Sequence, residues 1–468
     1  MHRLQPFWPM ATLAAVALFA RLVVLFTGPW TDPTRPQTFS GDAPRYAALA
    51  DTLLRQHAFG KPHEDGLVHC AVEQLRRDNG TLPPADEHGL YPEVFRTPGY
   101  PAFLAIFGGR SGLHLAFLAQ SILGSLATVS LVQIARQLGC EPRAALVSGY
   151  LWALHPAVVT YDLMPLTESL FCSLAMIGLA VSAIKTTPAS GVCAGLLIGL
   201  AALVRPLGLL YLPTALILGW NSASRRWRAA ILTVIVAAMP STLWMVRNHQ
   251  TGNGARVSTV GNINLYFYGA AYVISESRDE DWLASWPKRV EELASRLASR
   301  LKRGEDVFSL ARKEALAEFR TQPMTTARVA LKSIVKLAVD HSLHHAVGLF
   351  GMDYQPSGFF SELLRGKLDT SKLSLQALLA VPWSALNVIL LLLAVVGMIR
   401  VAVSRNNRLV LACLLPVLLF SAATFPVGVE RFRLPMMPFL FILSTCAFWP
   451  PRRQSGTDRP EAGTPIPS

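Results

Sequence analysis

Hydrophobic residues along this chain gather into long runs parted by short polar loops that hold most of the charge. A helix rises about 1.5 Å per residue, so a run of about 20 residues spans the hydrocarbon core of a bilayer. Candidate spans lie at 8–28, 113–135, 143–160, 166–184, 190–204, 206–220, 229–247, 381–401, 409–426 and 434–449. Only Arg205-Pro206 parts the fifth and sixth, which a proline-bent single helix also fits; a hairpin puts Lys185 and Arg225 on one side and is the better reading. Residues 326–350 are long enough to cross but carry Lys332, Lys336, Asp340, His341, His344 and His345. Each charge at mid-bilayer costs about 2.5–3.5 kcal/mol. Leu331, Ile334, Val335 and Ala338 recur at helical spacing opposite the lysines, so this segment is expected to lie on the membrane surface.

Ten spans and two outer segments follow. The first outer segment, 29–112, is rich in Pro, Gly, His and acids, with a short helix predicted at 43–57, where Tyr46, Leu49 and Leu53 share a face. In the second, 251–380, Val290, Leu293, Leu297 and Leu301 mark an amphipathic helix with a packing partner. The chain therefore divides into an N-terminal transmembrane module over 1–250, the outer loop 251–380 with its interfacial helices, C-terminal spans over 381–450, and a disordered cytoplasmic tail at 451–468.

Composition fixes the class as an all-α polytopic membrane protein. Of 468 residues, 51% are hydrophobic and 16% charged, and the mean hydropathy is +0.36. These values exclude a disordered chain, a disulfide miniprotein and an outer-membrane barrel. The net charge of +13 comes from basic residues scattered over loops and span ends, so anionic lipid or phosphate explains it and nucleic acid does not. Arg136 and Arg143, Lys185, Arg225, Arg226 and Arg228, Arg400, Arg405 and Arg408, and Arg452 and Arg453 form the inner loops, placing both termini in the cytoplasm. The six cysteines show no CxxC spacing, and no disulfide is expected. The first apolar run continues past Arg21 to Phe26 with no small-residue cleavage site, which reads as an uncleaved span.

On this topology Asp42, Arg96, Asp162, Glu168, Arg205, Arg247, Asn248, Glu430, Arg431 and Arg433 all sit at the outer face. Positive-inside sorting disfavours arginine there, and planar guanidinium groups suit a phosphate. Plainer readings stand beside this one. Asp42 precedes Ala43-Pro44 and fits a helix N-cap; Glu168 suits the dipole of a first turn; Arg205 and Arg247 fit snorkelling span-end residues; Tyr266, Phe267 and Tyr268 fit an interfacial anchor. His341, His344 and His345 have ligand-like spacing, but no acid or cysteine completes a set nearby, so neither a metal nor another cofactor is indicated.

Seven strings, in order, carry a family resemblance: GDAPRYAALADTLL (41–54), FRTPGYPAFLAIF (95–107), LTESLF (166–171), GLAALVRPLGLLYLP (199–213), WMVRNHQTGN (244–253), STVGNINLYFYG (258–269) and ERFRLPMMPF (430–439). The chain resembles the C-type fold of integral-membrane glycosyltransferases, in the bacterial group similar to protein O-mannosyltransferases and to the enzyme that adds aminoarabinose to lipid A. The resemblance implies sugar transfer from a polyprenyl-phosphate donor to a lipid, glycan or protein acceptor, at the periplasmic face of the bacterial inner membrane. It places the catalytic base, or the acceptor-orienting acid, on Asp42, and a helix dipping toward the membrane on Arg96, Pro98, Gly99, Tyr100 and Pro101. Arg96, Tyr100, Glu168, Arg205, Arg247, Asn248, Asn264, Tyr266, Glu430, Arg431 and Arg433 are then the expected substrate-binding set. Where the protein O-mannosyltransferases carry an Asp-Glu pair, Ala43 follows Asp42, which weighs against a protein acceptor and a mechanism needing adjacent acids.

The chemistry fits these residue types without the resemblance. A phosphate-linked sugar has its leaving group built in, so one carboxylate to deprotonate or orient the acceptor and arginines to neutralise the departing phosphate suffice. One carboxylate on the acceptor side predicts inversion. No Gly-rich phosphate loop and no DxD motif is present, consistent with a lipid-linked donor. A secondary transporter is the alternative from another class, but no repeat is visible and the charges sit at one face. An O-antigen ligase or polymerase is the other, and it lacks the string order.

Overall fold

The computed structural model describes residues 8–27, 42–64, 66–184, 187–219, 227–340, 346, 375–425 and 428–451. Lys185, Arg225, Arg226, His341, His344, His345 and the tail from Arg452 onward lie outside the described residues.

The apolar runs form helices. Among the described residues five are long and apolar enough to cross a membrane, and four shorter apolar helices accompany them. In chain order the first part of the molecule holds α1 (Trp8–Thr27), α2 (Ala43–Gln56), α3 (Leu67–Asp78), α4 (Gly99–Ile106) and α5 (Leu113–Gln137). The expected third span is two helices, α6 (Pro142–Leu154) and α7 (Pro156–Asp162). Pro156 has no N–H to continue α6, and the His155 ring accepts the Ala157 N–H at 3.2 Å, starting a new helix at a bend.

Next come α8 (Thr167–Ile184) and α9 (Pro188–Val204). The chain turns at Arg205 through a 3-10 segment, Pro206–Tyr211, into α10 (Leu212–Gly219). Gly208 lies so close to α9 that a Cβ there would be 2.5 Å from Ala202 N. Ala215 and Gly219 near the end of α10 share a crevice with Ser190 and Gly191 at the start of α9, so this pair is a hairpin. Helix α11 (Trp227–Gln250) packs along α9 through small residues at a four-residue spacing. Added Cβ atoms at Gly191, Gly195 and Gly199 would stand 2.4, 2.7 and 2.9 Å from the carbonyls of Ala229, Thr233 and Ala237. Such stripes let helix backbones approach where lipid supplies no hydrophobic drive.

The described parts of the two segments expected at the outer face build one body, the outer body. Helices α12 (Val260–Asn264), α13 (Ala271–Ser277), α14 (Trp282–Arg300) and α15 (Val307–Thr321) follow α11, with a π-helical turn at Leu265–Ala270. Val290, Leu293 and Leu297 of α14 are buried with Val68, Val72 and Leu75 of α3 and with Phe95, Tyr266, Phe267 and Phe308. A short antiparallel pairing, Gly60 with Pro92 and Lys61 with Tyr91, closes the first segment on itself.

Within the segment expected on the surface, α16 (Pro323–Val339) buries Val329, Ser333 and Leu337 against the protein and exposes Leu331, Ile334 and Val335. Among the described residues nothing covers this apolar stripe. The last helices are α17 (Leu375–Val403), α18 (Asn407–Ala423) and α19 (Met437–Cys446). Asp162, expected with the outer-face charges, is instead buried in an ion pair with Arg21 of α1 and accepts the Ser169 hydroxyl. A charge inside a helical bundle needs such a partner, and Arg21 is fully buried.

A candidate active site of paired acids and arginines

Asp42 stands at the start of α2, where Pro44 favours helix initiation. Its side chain makes no cap hydrogen bond, so the N-cap reading fails. Oδ1 accepts from Arg96 Nη2 at 3.3 Å and lies 3.6 Å from Arg45 Nη1. Oδ2 accepts from Arg431 Nη2 at 3.3 Å. Burial alone would raise the proton affinity of this carboxyl, but Arg431, Arg96 and Arg45 outweigh burial and hold it well below the usual carboxylate range.

Glu168, in the first turn of α8 and 1% exposed, forms the second half. It pairs with Arg205, which also donates to Thr167 Oγ1 at 3.3 Å. Arg431 Nε lies 3.6 Å from Glu168 Oε1, so Arg431 bridges the two carboxylates. The guanidinium carbons of Arg205 and Arg431 lie 5.2 and 5.3 Å from the centre of the Phe432 ring. Among the described residues four arginines (45, 96, 205 and 431) thus face Asp42 and Glu168, with Glu93 as a third acid 3.9 Å from Arg96 Nη1. Arg431 Nε is buried without a hydrogen-bond partner among the described residues.

What assembles these parts is the segment before α4. Glu93 is buried; its Oε1 accepts the N–H groups of Phe95 and Arg96 at 2.7 and 2.9 Å, and its Oε2 is 3.3 Å from Lys61 Nζ. Thr97 donates to Val204 O at 3.1 Å, and Gly99 lies against the Leu203–Val204 backbone, so the first outer segment meets the tip that carries Arg205. Tyr100 is fully buried with its hydroxyl donating to Gln120 Oε1 at 2.8 Å, which anchors α4 to α5.

Of the residues expected at the site, Asp42, Arg96, Glu168, Arg205 and Arg431 converge, with Tyr100 behind them. Glu430 is 6% exposed next to Arg431. The others are placed differently. Arg247 donates to Glu93 O at 3.2 Å and Phe59 O at 3.0 Å, with its guanidinium over Trp244. Asn248 accepts from Arg247 and donates to Arg256 O at 2.8 Å. Arg433 donates to the carbonyls of Leu337, Ala338 and Asp340 at 3.0, 2.9 and 3.0 Å, closing the C-terminus of α16. Tyr266 is buried in the outer body, donating to Leu293 O at 3.1 Å, and Asn264 is exposed.

Three residues outside the expected set belong with the site. Arg45 and Tyr46 follow Asp42 by three and four positions, and that helical spacing was the available signal. Tyr268 feels the charges of Asp42, Arg45, Arg431 and Arg96; the π-helical turn shifts the faces of the aromatic run, so Tyr266 points elsewhere. Among the described residues no three His, Cys, Asp or Glu side chains are placed to hold a metal ion.

No family model and no curated protein matches this chain. Among solved structures it is similar to the archaeal oligosaccharyltransferase AglB from Archaeoglobus fulgidus, in complex with an inhibitory peptide and a dolichol-phosphate, at 15% identity and a TM-score of 0.46. That match covers 94% of this chain and 50% of the other. It is also similar to the Archaeoglobus fulgidus oligosaccharyltransferase in complex with Zn and sulfate, at 14% identity and a TM-score of 0.45, over 92% of this chain and 48% of that one. The chain spans about half the length of these structures.

Proposed function

We propose that the chain is a C-type-fold glycosyltransferase of ten spans in the bacterial inner membrane, moving a sugar from a polyprenyl-phosphate donor to an acceptor hydroxyl on a lipid, glycan or protein at the periplasmic face. The observation that carries the reading is Arg431, which touches both Asp42 and Glu168 while its Nε has no hydrogen-bond partner among the described residues. Guanidinium groups gathered at one place suit an anion, and a phosphate accepts from such groups in a plane.

In the proposed reaction the acceptor hydroxyl gives its proton to Asp42 as its oxygen bonds to the anomeric carbon. The bond from that carbon to the phosphate oxygen breaks, and its electron pair leaves on the polyprenyl phosphate. Arg431 and Arg96 neutralise the charge that develops there. Without donor, these arginines make Asp42 a poor base. A bound phosphate competes for the same guanidinium groups and so returns basicity to Asp42 only when a donor is in place. One carboxylate acting on the acceptor gives inversion. The prenyl chain lies between spans beside the exposed Leu331, Ile334 and Val335 of α16.

The test is release of polyprenyl phosphate by the full chain in nanodiscs, supplied with synthetic polyprenyl-phosphate pentoses and hexoses and envelope extract as acceptor. Asp42→Asn keeps the shape and loses the base, so it should bind donor yet turn over about 10²–10⁴-fold more slowly. An active Asp42→Asn variant, or an inert wild type across the donor panel, would overturn the reading.

A further inference from the structure

The two acid–arginine pairs enclose a side chain that the reaction above leaves unused. Tyr46 sits one turn beyond Asp42 on α2, its N–H donating to Asp42 O at 3.2 Å. Its ring meets the Tyr100 ring edge-on at 5.3 Å between centroids, and Arg96 Cζ lies 5.9 Å from its centre. Asp42 and Arg96 from one half of the site, and Arg205 and Glu168 from the other, all act electrostatically on its hydroxyl. That hydroxyl makes no hydrogen bond among the described residues. Its neighbour Tyr100 is the useful contrast, because there the hydroxyl is engaged by Gln120.

We propose that the Tyr46 hydroxyl is a donor-binding contact, giving its hydrogen to a phosphate oxygen of the lipid-phosphate donor. This rests on the polyprenyl-phosphate reading above. A group that Arg96 and Arg205 act on from two sides, beside Asp42 and Glu168, meets whatever anion those guanidiniums collect. A neutral O–H gives that anion a direction without adding charge. The hydroxyl also keeps its proton: burial, with Asp42 adding to it, pushes its pKa up to about 12. Acting as a base toward the acceptor is therefore the role it does not fit, and donating to a phosphate oxygen is the role it does.

The test uses the full chain in nanodiscs with farnesyl phosphate as the probe and farnesol as its uncharged counterpart. Because the hydroxyl has no partner to lose among the described residues, Tyr46→Phe should melt with the wild type. It should bind farnesyl phosphate about tenfold more weakly, the lower end of what a hydrogen bond to a charged group contributes, with farnesol binding unchanged. Equal farnesyl phosphate binding by wild type and Tyr46→Phe would overturn the contact and leave the proposed function standing. An equal loss for farnesol would assign Tyr46 to packing and overturn it too. A wild type that does not bind farnesyl phosphate would remove the polyprenyl-phosphate reading and this contact with it.

Discussion

Replacing Arg431 with alanine separates a phosphate clamp from arginines that merely brace the backbone. Arg431 lies 3.3 Å from Asp42 and 3.6 Å from Glu168. At an effective dielectric of about 20 each contact carries roughly 5 kcal/mol of gross attraction, most of it offset by desolvation of the buried partners. The net share of one charge-assisted hydrogen bond is about 1.5–3 kcal/mol, or roughly tenfold to over a hundredfold in donor affinity. A second result is tied to the first. Burial alone would raise the proton affinity of Asp42, and Arg431 leads the guanidiniums that reverse this. Without Arg431 the folded-state pKa of Asp42 moves up, so the acid limb of the rate profile should shift to higher pH. Lysine, a point charge in place of a fork, should fall between arginine and alanine on both counts. Arg247→Ala and Arg433→Ala remove donors to backbone carbonyls, so they should lower the melting temperature and leave donor affinity within about threefold of wild type. Titration of a polyprenyl-phosphate sugar against the three alanine variants, each with a melting curve, decides. The reasoning fails if Arg247→Ala matches the Arg431→Ala affinity loss at an unchanged melting temperature, or if Arg431→Ala binds donor as wild type does.

The helices were legible because bilayer thickness and helix rise leave one length for an apolar run. The break at His155-Pro156 was less so, since proline is tolerated within membrane spans and only the cap made by His155 decides for two helices. The Gly191, Gly195, Gly199 stripe stood open in the sequence at a four-residue period, but its partner Ala229, Thr233, Ala237 is identifiable only once two helices are placed side by side. At the site, position on the expected topology grouped Asp42, Arg96, Glu168, Arg205 and Arg431 on one face, and the resemblance added Tyr100. Sequence position does not say where a guanidinium points. Arg431 and Arg433 are two residues apart, yet one reaches carboxylates and the other reaches helix carbonyls. A long flexible side chain with several donors takes the partner that tertiary packing offers. The merging of both outer segments into one core was equally hidden, because Leu293 and Val72 are joined by no periodicity.

Two further outcomes follow from the outer body and from α4. Burial and the nearby Glu93 push Glu64 up to about 7 against the opposing pull of Lys61. A carboxyl whose folded pKa is raised contributes stability that is complete below its unfolded value and lost as pH rises through its folded value. The wild type should therefore melt higher at about pH 5 than at about pH 8, and Glu64→Gln should flatten that rise; an identical pH dependence in both would count against the burial argument. The last concerns Gly99, where two local rules give opposite signs. Gly99 begins α4, and helix propensity alone favours alanine over glycine there by about 1 kcal/mol. A Cβ at this position, however, would stand 2.6 Å from both Leu203 C and Val204 N and 2.7 Å from Leu203 O. These are backbone atoms at the end of α9, so no rotamer change relieves the contact, and α4 must back away from the tip that carries Arg205. Overpacking of this kind costs about 1–3 kcal/mol, which exceeds the propensity gain, and Gly99→Ala should melt lower than wild type and lose activity with it. Gly261 in α12 is the control, since an added Cβ there meets nothing within 4 Å and propensity acts alone. If Gly99→Ala melts at or above wild type, as Gly261→Ala should, then the close approach of α4 to α9 does not hold the first outer segment against the Arg205 turn.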